Sequence, residues 1–336
     1  MLKFLKEGDK MIKAVAAGDL LIDFNTISTD SLGYPALQAN PGGDVGNYIA
    51  VFAKFGATAS FIGKLGNDAF GNLIEKTLKD IGVDTSGIIK TDEAFTTLAF
   101  VTLDETGDRE FSFARKPGAD ILLSYDEIDL SLLKDTDVLH ISSVGMTSEP
   151  SRSALKELAL YAKSNGTLIS YDPNLRIPLW HSLDEAKEQM LWGLSIADVV
   201  KIGEEEIDFI YDFNDTLERK AEVILELNKN IQLLFATCGA KGSYFSNRLH
   251  SGFVPSLSNI KVIDTVGAGD IFGASAMFRT LSFGKEIIKL SKSELEDITE
   301  FACTAAGLST TRHGGIPSIP QLSDVIKTKN INFGTD

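Results

Sequence analysis

The stretch Asp264-Thr265-Val266-Gly267-Ala268-Gly269-Asp270 follows a β-branched run at 260–263 and precedes an apolar segment that begins at Ile271. This order predicts a strand, a tight turn and the N-terminus of a helix. Small residues let the backbone N–H groups of such a turn approach an anion, and the helix dipole adds positive charge there. We therefore expect an anion site with Asp270 beside it as a proton acceptor. The alternative is that Asp270 only complements the helix dipole.

Alternating strands and helices extend from this turn through most of the chain. Short apolar runs that resemble buried strands lie at 14–17, 59–62, 138–141, 167–171, 198–202 and 231–236. Between them, helical periods such as 149–163 and 217–227 place apolar residues on one face. The alternation predicts a mostly parallel central sheet covered by helices on both faces, with ligands bound beyond the carboxyl ends of the strands.

Two segments, about 25–40 and 96–115, break this alternation. In the second segment, the runs 98–103 and 110–115 flank a polar turn at 105–108, which predicts a β-hairpin. A hairpin without a crossover helix does not fit a parallel core. We therefore expect both segments to form a small β lid that excludes water from the site. Its unpaired strand edges also favour a homodimer formed through the lid, and the two roles are compatible.

Length and composition predict a single α/β domain at 13–325, preceded by an N-terminal extension at 1–12 that has no function of its own. The chain has 336 residues, of which 43% are hydrophobic and 24% are charged, and its formal net charge is −15 at pH 7. The acidic charge and the lack of a Lys/Arg-rich block argue against a nucleic-acid partner. ATP is not excluded, because salt screens charges beyond about 8 Å.

Signals for secretion or membrane insertion are absent from the sequence. No apolar run reaches the roughly 18 residues of a membrane span, so no membrane partner is expected. The two cysteines, Cys238 and Cys303, form neither a CxxC pair nor a secreted framework, which favours a reducing compartment. We therefore expect a cytoplasmic protein whose ligands are small molecules.

A second glycine-rich unit at 41–47 also leads into a helical pattern. Gly42 and Gly43 would let a polyol approach the main chain, and the amide of Asn47 offers a donor and an acceptor to hydroxyl groups. The alternative is an ordinary turn in which Asn47 serves as a cap residue. The unit is thus a candidate for sugar recognition.

Two carboxylates, Asp19 and Asp23, follow the first predicted strand and flank an apolar triplet. One or both could accept hydrogen bonds from sugar hydroxyls. A pair of carboxylates is also the apparatus of glycoside hydrolysis. We favour sugar binding, because a glycosidase has no use for two glycine turns that bind anions.

The turn at 237–242 closes an apolar strand and carries a hydroxyl at its mouth. It could hold nucleotide phosphates, and a plain β-turn is the alternative. Glu206 follows another predicted strand, where it either complements a helix dipole or orients water around Mg²⁺. The motif GxxxxGK[ST] does not occur, and Phe272 replaces the third glycine of GxGxxG. A P-loop enzyme and a dinucleotide dehydrogenase are therefore disfavoured.

Together, these motifs resemble those of the ribokinase-like carbohydrate kinases, the PfkB family. The similarity runs from about Val15 to Pro320, and the second family signature is matched at 264–270. The first signature is matched at Gly42, Gly43, Asn47, Gly56 and Gly66. The resemblance implies a three-layer α/β/α fold with a mostly parallel central sheet and a small β lid. It also implies ATP-dependent transfer of a phosphoryl group to a sugar hydroxyl.

Within this family the chain is most similar to fructokinases, which convert D-fructose and ATP to fructose 6-phosphate and ADP. The segments that carry this similarity are 61–66, 97–101, 148–152 and 171–176. The resemblance implies that the protein binds ATP and Mg²⁺, and that it binds K⁺ beside the anion turn.

The resemblance also implies roles for single residues. Asp270 is the general base, and the turn from Gly267 through Ala268 and Gly269 supplies N–H groups that bind developing charge. The residues that contact the sugar are Asp19, Asp23, Gly42, Gly43, Asn47 and Arg115. The residues that contact the nucleotide are Thr237, Gly239, Gly242 and Cys303. Glu206 holds Mg²⁺ through water. The K⁺ site is formed by Asp264, Val266, Ser309, Arg312, Gly314 and Ser318.

Three departures from the family pattern leave the sugar open. Gly203 stands where many members have Asn, the spacer at 44–46 replaces a small or Pro-containing one, and Ala114 replaces an aromatic residue. The last two departures adjoin the predicted sugar pocket. Alternatives to fructose are therefore ribose, 2-keto-3-deoxygluconate and a phosphorylated ketohexose. A sugar-binding regulator without turnover is a further alternative, but it predicts a defective base or anion turn, and both are intact.

Overall fold

The computed structural model describes residues 11–103, 109–212 and 214–333. Residues 1–10 of the predicted N-terminal extension and the predicted turn at 105–108 lie outside these ranges. The strands are β1 (Lys13–Ala17), β2 (Leu21–Thr29), β3 (Pro35–Gly42), β4 (Thr58–Gly66), β5 (Val83–Thr91), β6 (Thr97–Leu103), β7 (Arg109–Ala114), β8 (Val138–Ser142), β9 (Leu168–Asp172), β10 (Val199–Gly203), β11 (Leu233–Thr237), β12 (Gly242–Ser246) and β13 (Ser251–Pro255). The helices are α1 (Asp44–Lys54), α2 (Ala69–Asp80), α3 (Ser151–Ser164), α4 (Leu183–Ile196), α5 (Glu204–Tyr211), α6 (Leu217–Leu227), α7 (Ala268–Ser282), α8 (Lys292–Ser309) and α9 (Leu322–Phe333).

The larger sheet contains nine strands in the order β13-β12-β11-β10-β9-β8-β1-β4-β5. Its strands from β11 to β5 pair in parallel, and β12 and β13 add an antiparallel hairpin at one edge. Every run predicted as a buried strand lies in this sheet, and α3 and α6 coincide with the predicted helical periods. The prediction of a mostly parallel central sheet is confirmed.

Helices cover both faces of this sheet. Successive side chains of a strand point to opposite faces, so alternate residues of one strand pack against different helices. In β1, Ala14 and Ala16 belong to a hydrophobic cluster that includes Phe52 of α1. Val15 and Ala17 belong to a second cluster, which is built with α3, α4, α5 and α6. The chain thus forms the predicted three-layer α/β/α arrangement.

The smaller sheet has four strands in the order β3-β2-β6-β7 and corresponds to the predicted lid. β6 and β7 form the predicted hairpin. The segment 25–40, which the sequence marks only as irregular, forms most of a second hairpin from β2 and β3. Parallel pairing of β2 with β6 joins the two hairpins. Because β2 begins just after β1 ends, the lid stands at the carboxyl edge of the larger sheet.

The prediction of a strand at 260–263 is wrong. This segment is irregular, and the N–H groups of Ile263 and Asp264 both donate to the carbonyl of Thr310, at 2.7 Å and 3.1 Å. Val262 and Ile263 are 56% and 47% exposed. β-Branched residues suit a strand only where a neighbouring strand and a buried face are available. The edge of the larger sheet is formed instead by β13, which ends at Pro255.

Within the described parts of the chain, none of the helices combines the length and the apolar character that crossing a membrane requires. The predicted domain boundaries at 13 and 325 stay a prediction, and α9 continues past the second boundary to Phe333.

Candidate active site

A cavity of about 980 Å³ lies at the carboxyl edge of the larger sheet, against the lid. Its wall contains residues at strand ends, namely Asp19 after β1, Asn174 after β9 and Gly203 at the end of β10. The lid contributes Asp23 and Phe113. The cavity therefore occupies the position where an open parallel sheet binds its ligands.

Many of the predicted site residues meet at this cavity. Those that line it are Asp19, Asp23, Gly43, Asn47, Glu206, Gly239, Val266, Gly267, Gly269 and Asp270. Those that do not line it are Gly42, Arg115, Thr237, Gly242, Ala268, Cys303, Asp264, Ser309, Arg312, Gly314 and Ser318. Residues that are far apart in sequence thus meet at one cavity, and the roles assigned to all of the predicted residues stay predictions.

The anion turn depends on glycine at its first position. Gly267 precedes α7 with a φ of 76°, in the left-handed region that favours glycine. A Cβ atom there would stand 3.0 Å from Nδ2 of Asn47 and 3.1 Å from Cα of Gly315. Because Gly267 has no side chain to cap α7, the first N–H groups of the helix retain their capacity to bind an anion.

The N–H group of Ala268 is directed to the carbonyl of Thr265, at 3.3 Å. This corrects its predicted part in the anion turn, because a donor already directed to a carbonyl is less available to a ligand. Gly269 and Asp270 line the cavity and supply the next N–H groups of the helix. This turn therefore offers fewer N–H groups to an anion than the sequence predicts.

Asp270 is fixed by an amide from the other glycine unit. Nδ2 of Asn47 donates to Oδ2 of Asp270 at 2.8 Å, across 223 positions of sequence. Burial raises the pKa of Asp270 to about 6, the nearby charge of Asp44 adds to the increase, and the Asn47 hydrogen bond opposes it. The carboxylate is therefore ionised at neutral pH and is a better proton acceptor than an ordinary Asp.

The glycine pair before α1 makes room for carboxylates. A Cβ atom on Gly42 would lie 2.4 Å from Oδ2 of Asp23, and one on Gly43 would lie 3.2 Å from Oδ2 of Asp19. The sequence predicts that these glycines let a polyol approach the backbone. The Asp side chains occupy part of the space beside the glycines, whereas Gly43 still lines the cavity, and its contact with the sugar stays a prediction.

Asp44 is a site residue that the sequence marks only as a departure from the family pattern. It lines the cavity as the first residue of α1. Its Oδ1 accepts the N–H of Val45 at 2.6 Å, and its Oδ2 accepts the amide of Asn174. Burial raises the pKa of Asp19 well above the usual value, and the adjacent carboxyl of Asp44 raises it further. The two acids thus act as a pair.

Lys201 and Asp172 form a buried ion pair that sequence reasoning missed. Nζ of Lys201 donates to both carboxylate oxygens of Asp172, at 3.0 Å and 3.1 Å. Burial lowers the pKa of Lys201, but Asp172, Glu206 and Asp270 outweigh this effect and raise it overall. Nζ lies 3.3 Å from the position of a Cβ on Gly269. A permanent positive charge therefore stands beside the anion turn. The signals were the acid that ends β9 and the lysine inside the otherwise uncharged strand β10.

Glu206 joins two loops at the cavity wall. Its Oε1 accepts the N–H of Leu175 at 2.8 Å, and its Oε2 accepts the N–H of Gly203 at 2.7 Å. Each carboxylate oxygen retains a further lone pair, which suits contact with a metal-bound water. No cluster of three or more His, Cys, Asp or Glu that could ligate a metal occurs among the described residues. The carboxylate of Glu206 therefore fits Mg²⁺ held through water.

Of the four residues predicted to contact the nucleotide, one lines the cavity and three do not. Gly239 lines the cavity, with Cys238 and Lys241 as neighbours that the sequence did not single out. Gly242 has a φ of 132°, and a Cβ there would lie 2.1 Å from the carbonyl oxygen of Val254. Its predicted nucleotide contact is corrected to a structural role, because the sheet pairing of β12 with β13 requires glycine at this position.

Two further nucleotide contacts, those of Thr237 and Cys303, stay predictions. The hydroxyl of Thr237 donates to the carbonyl of Ile202 at 3.4 Å, which ties the ends of β11 and β10 together. Cys303 is buried in α8, and burial raises the pKa of its thiol to about 12. Neither residue lines the cavity.

Arg115 is turned into the protein and does not reach over the cavity. Its Nε donates to Oδ2 of Asp120 at 2.8 Å, its Nη1 to the hydroxyl of Thr147 at 2.8 Å, and its Nη2 to the carbonyl of Val144 at 3.1 Å. The predicted sugar contact is corrected, because Asp120 is a buried acid that requires a cationic partner. Arg115 ties the end of β7 to the main body.

The predicted K⁺ residues surround the loop behind the anion turn. Oδ1 of Asp264 accepts the N–H of Val266, and its Oδ2 accepts the N–H of Gly314, both at 2.9 Å. The hydroxyls of Ser309 and Ser318 donate to nearby carbonyls. Oxygen-rich loops are suitable for a hard monovalent cation. The loop therefore fits K⁺, although of these residues only Val266 reaches the cavity wall.

The sequence of this chain is similar to those of known carbohydrate kinases. The sequence profile of the family described as pfkB family carbohydrate kinase matches residues 11–322. Among curated relatives, Fructokinase-2 of Solanum habrochaites is 37% identical over 315 residues, which is 93% of this chain and 94% of the relative.

Solved structures of similar proteins extend the comparison to the fold. A fructokinase with bound ATP from Xylella fastidiosa superposes with a TM-score of 0.86 at 29% identity, covering 95% of this chain and 98% of that one. A fructokinase double mutant from Vibrio cholerae O395, bound to fructose, ADP and a potassium ion, gives a TM-score of 0.82 at 28% identity, covering 95% and 99%.

Proposed function

Because the chain belongs to the pfkB family of carbohydrate kinases, we propose that it is an ATP-dependent fructokinase that forms fructose 6-phosphate and ADP. A member of this family is a phosphotransferase whose acceptor is a sugar hydroxyl. The observation that carries the proposal is the hydrogen bond from Asn47 to Asp270, because it joins both glycine units at one cavity.

The acceptor hydroxyl binds between Asp270 and the glycine unit before α1. Asp270 accepts the hydroxyl proton as the oxygen bonds to the transferred phosphorus and the bond to ADP breaks. The N–H groups of Gly269 and Asp270 and the ammonium of Lys201 stabilise the charge on the migrating group. Positioning and electrostatics, rather than covalent chemistry, supply most of the rate.

Mg²⁺ and K⁺ complete the proposal. When bound, Mg²⁺ would neutralise charge on the phosphates, and Glu206 would hold it through water. The K⁺ loop of Asp264, Val266, Ser309, Arg312, Gly314 and Ser318 would fix the shape of the anion turn. The potassium ion bound to the Vibrio cholerae O395 fructokinase double mutant supports K⁺ as a ligand.

We also propose a homodimer formed through the lid. Ile27, Leu32 and Tyr34 of the β2–β3 hairpin are 60%, 76% and 67% exposed, which is unusual for large apolar side chains on one hairpin. Light scattering of the purified protein should give twice the chain mass, and a monomer at all concentrations would contradict the proposal. A cytoplasmic location stays a prediction.

ADP release with Mg-ATP tests the proposed reaction. Fructose should give the highest kcat/KM in a panel with ribose, 2-keto-3-deoxygluconate and fructose 1-phosphate, and the rate should increase when K⁺ replaces a large organic cation. Product NMR should show phosphate on carbon 6 of fructose. A higher kcat/KM for another sugar would reassign the substrate and leave the carbohydrate kinase activity in place.

A further inference from the structure

Carboxyl groups from different elements crowd the sugar end of the cavity. Asp19 follows β1, Asp23 lies in β2 and Asp44 begins α1. They are 2%, 7% and 7% exposed, and each of them lines the cavity. The close approach of Gly42 to Asp23 and of Gly43 to Asp19 shows that the turn before α1 is built around these acids.

Asp44 is held as a carboxylate within this group. Asp19, Asn174 and Ser142 hydrogen-bond to it and lower its pKa, although burial alone would raise it. Burial and the adjacent carboxyl of Asp44 raise the pKa of Asp19, so Asp19 is the weaker acid of the two. The Asp19–Asp44 pair therefore places the negative charge of Asp44 at the cavity wall.

Asp19 retains an unused polar atom. Its Oδ1 is buried and has no hydrogen-bond partner among the described residues. A buried acceptor without a partner is unfavourable unless a ligand satisfies it. A sugar hydroxyl that enters the cavity can supply this hydrogen bond, whereas a phosphate or carboxylate group ionised at neutral pH brings a negative charge toward the carboxylate of Asp44.

Lys201 and Arg176 are cations of the wall that act on Asp270. Lys201 is paired with Asp172 beside Gly269. Arg115 acts on Asp19 and Asp44, but it lies behind the wall and is paired with Asp120. An anionic substituent at the sugar end therefore meets carboxylates. A like-charge pair at about 6 to 12 Å in a medium of effective dielectric constant near 20 discriminates by about 10- to 100-fold.

We infer that Asp44 is a specificity-determining residue that, together with Asp19 and Asp23, restricts the acceptor to uncharged sugars and excludes sugar acids and sugar phosphates. This inference rests on the proposed function, because it concerns the acceptor of the same reaction. It deepens that function by assigning a role to the position where the chain departs from the family pattern.

The variant Asp44→Asn tests the inference, because it removes one charge and keeps nearly the same shape. For the purified protein, kcat/KM with Mg-ATP is measured for fructose, fructose 1-phosphate and 2-keto-3-deoxygluconate. The ratio of anionic to neutral sugar should increase about 10- to 100-fold in the variant. An unchanged ratio, or a wild-type protein that prefers an anionic sugar, would overturn the inference.

Glu205→Gln is the matched control. Glu205 is an exposed acid on the same cavity wall, so the control makes the same change in net charge away from the Asp19–Asp44 pair. Its ratio should equal that of the wild type. If the control and Asp44→Asn change the ratio equally, the effect is one of general charge and the assignment to Asp44 fails.

Binding measurements keep the test decisive where turnover is too slow. Calorimetry with each sugar should give the same shift in the ratio of dissociation constants, and Asp44→Ser replaces Asp44→Asn if the latter has a lower Tm. The failures are distinguishable. If the protein phosphorylates a different neutral sugar, the proposal of fructose as substrate is wrong and the inference about Asp44 holds. If it phosphorylates only anionic sugars, the inference about Asp44 is wrong and the carbohydrate kinase activity holds.

Discussion

The phosphoryl end and the sugar end of the cavity are built in opposite ways. At the phosphoryl end, one short turn before α7 supplies backbone N–H groups, and its local sequence predicts the arrangement. At the sugar end, side chains from β1, β2, α1 and the loop after β9 converge. Backbone sites are encoded over a few residues, whereas side-chain sites depend on how distant elements pack. The phosphoryl end should therefore determine rate, and the sugar end should determine choice of substrate.

Asp270→Asn should have the largest effect, and it separates the two ends. The variant keeps the shape but loses the proton acceptor, so kcat should decrease by about 10² to 10⁴. Sugar affinity, measured by calorimetry, should change little. Wild-type turnover in the folded variant would show that Asp270 is not the general base. A large loss of sugar binding would show that Asp270 mainly binds the sugar.

Lys201→Met should lower kcat by about 10- to 100-fold, because it removes a positive charge beside the anion turn. The loss could also arise from Asp172, which would be left buried without its partner. The double variant Lys201→Met/Asp172→Asn separates these causes in steady-state kinetics. Activity should stay low in the double variant, and full recovery would show that Lys201 only neutralises Asp172.

The pH dependence of kcat/KM should report Asp270. Its pKa of about 6 means that the carboxyl becomes protonated, and the base is lost, as the pH falls through this value. The rate should therefore decrease about tenfold per unit below pH 6. If the acidic decrease in kcat/KM occurs near pH 4 instead, burial and Asp44 do not raise the pKa of Asp270.

Asn47→Ser should have the smallest effect on activity. It tests whether Asn47 connects the two ends of the cavity through its hydrogen bond to Asp270. Loss of the amide removes the hydrogen bond that opposes the increase in the pKa of Asp270. The acidic limb should move upward by about half a unit to one unit, with a loss of activity of a few-fold at pH 6. A limb that stays in place would show that Asn47 serves the sugar alone.

Comparison of individual elements shows how far the sequence could predict the site. The run 14–17 forms β1 although three of its four residues are alanine, because a strand inside the parallel sheet is buried on both faces. The run 260–263 has three β-branched residues and forms no strand. Gly242 and Arg115 resemble ligand contacts by position, yet one is required by sheet pairing and the other by a buried acid. Residue type indicates what a side chain can do, and packing decides which partner it meets.

The sequence by itself determined the alternation of strands and helices, the anion turn and the acid at its end, because periodicity, glycine conformation and helix dipoles act over a few neighbouring residues. Only the tertiary structure decided that Asn47 meets Asp270, that Lys201 stands beside Gly269 and that Asp44 pairs with Asp19. Such contacts join residues separated by tens to hundreds of positions, and burial, which sets the proton affinity of the acids, exists only after the layers have packed.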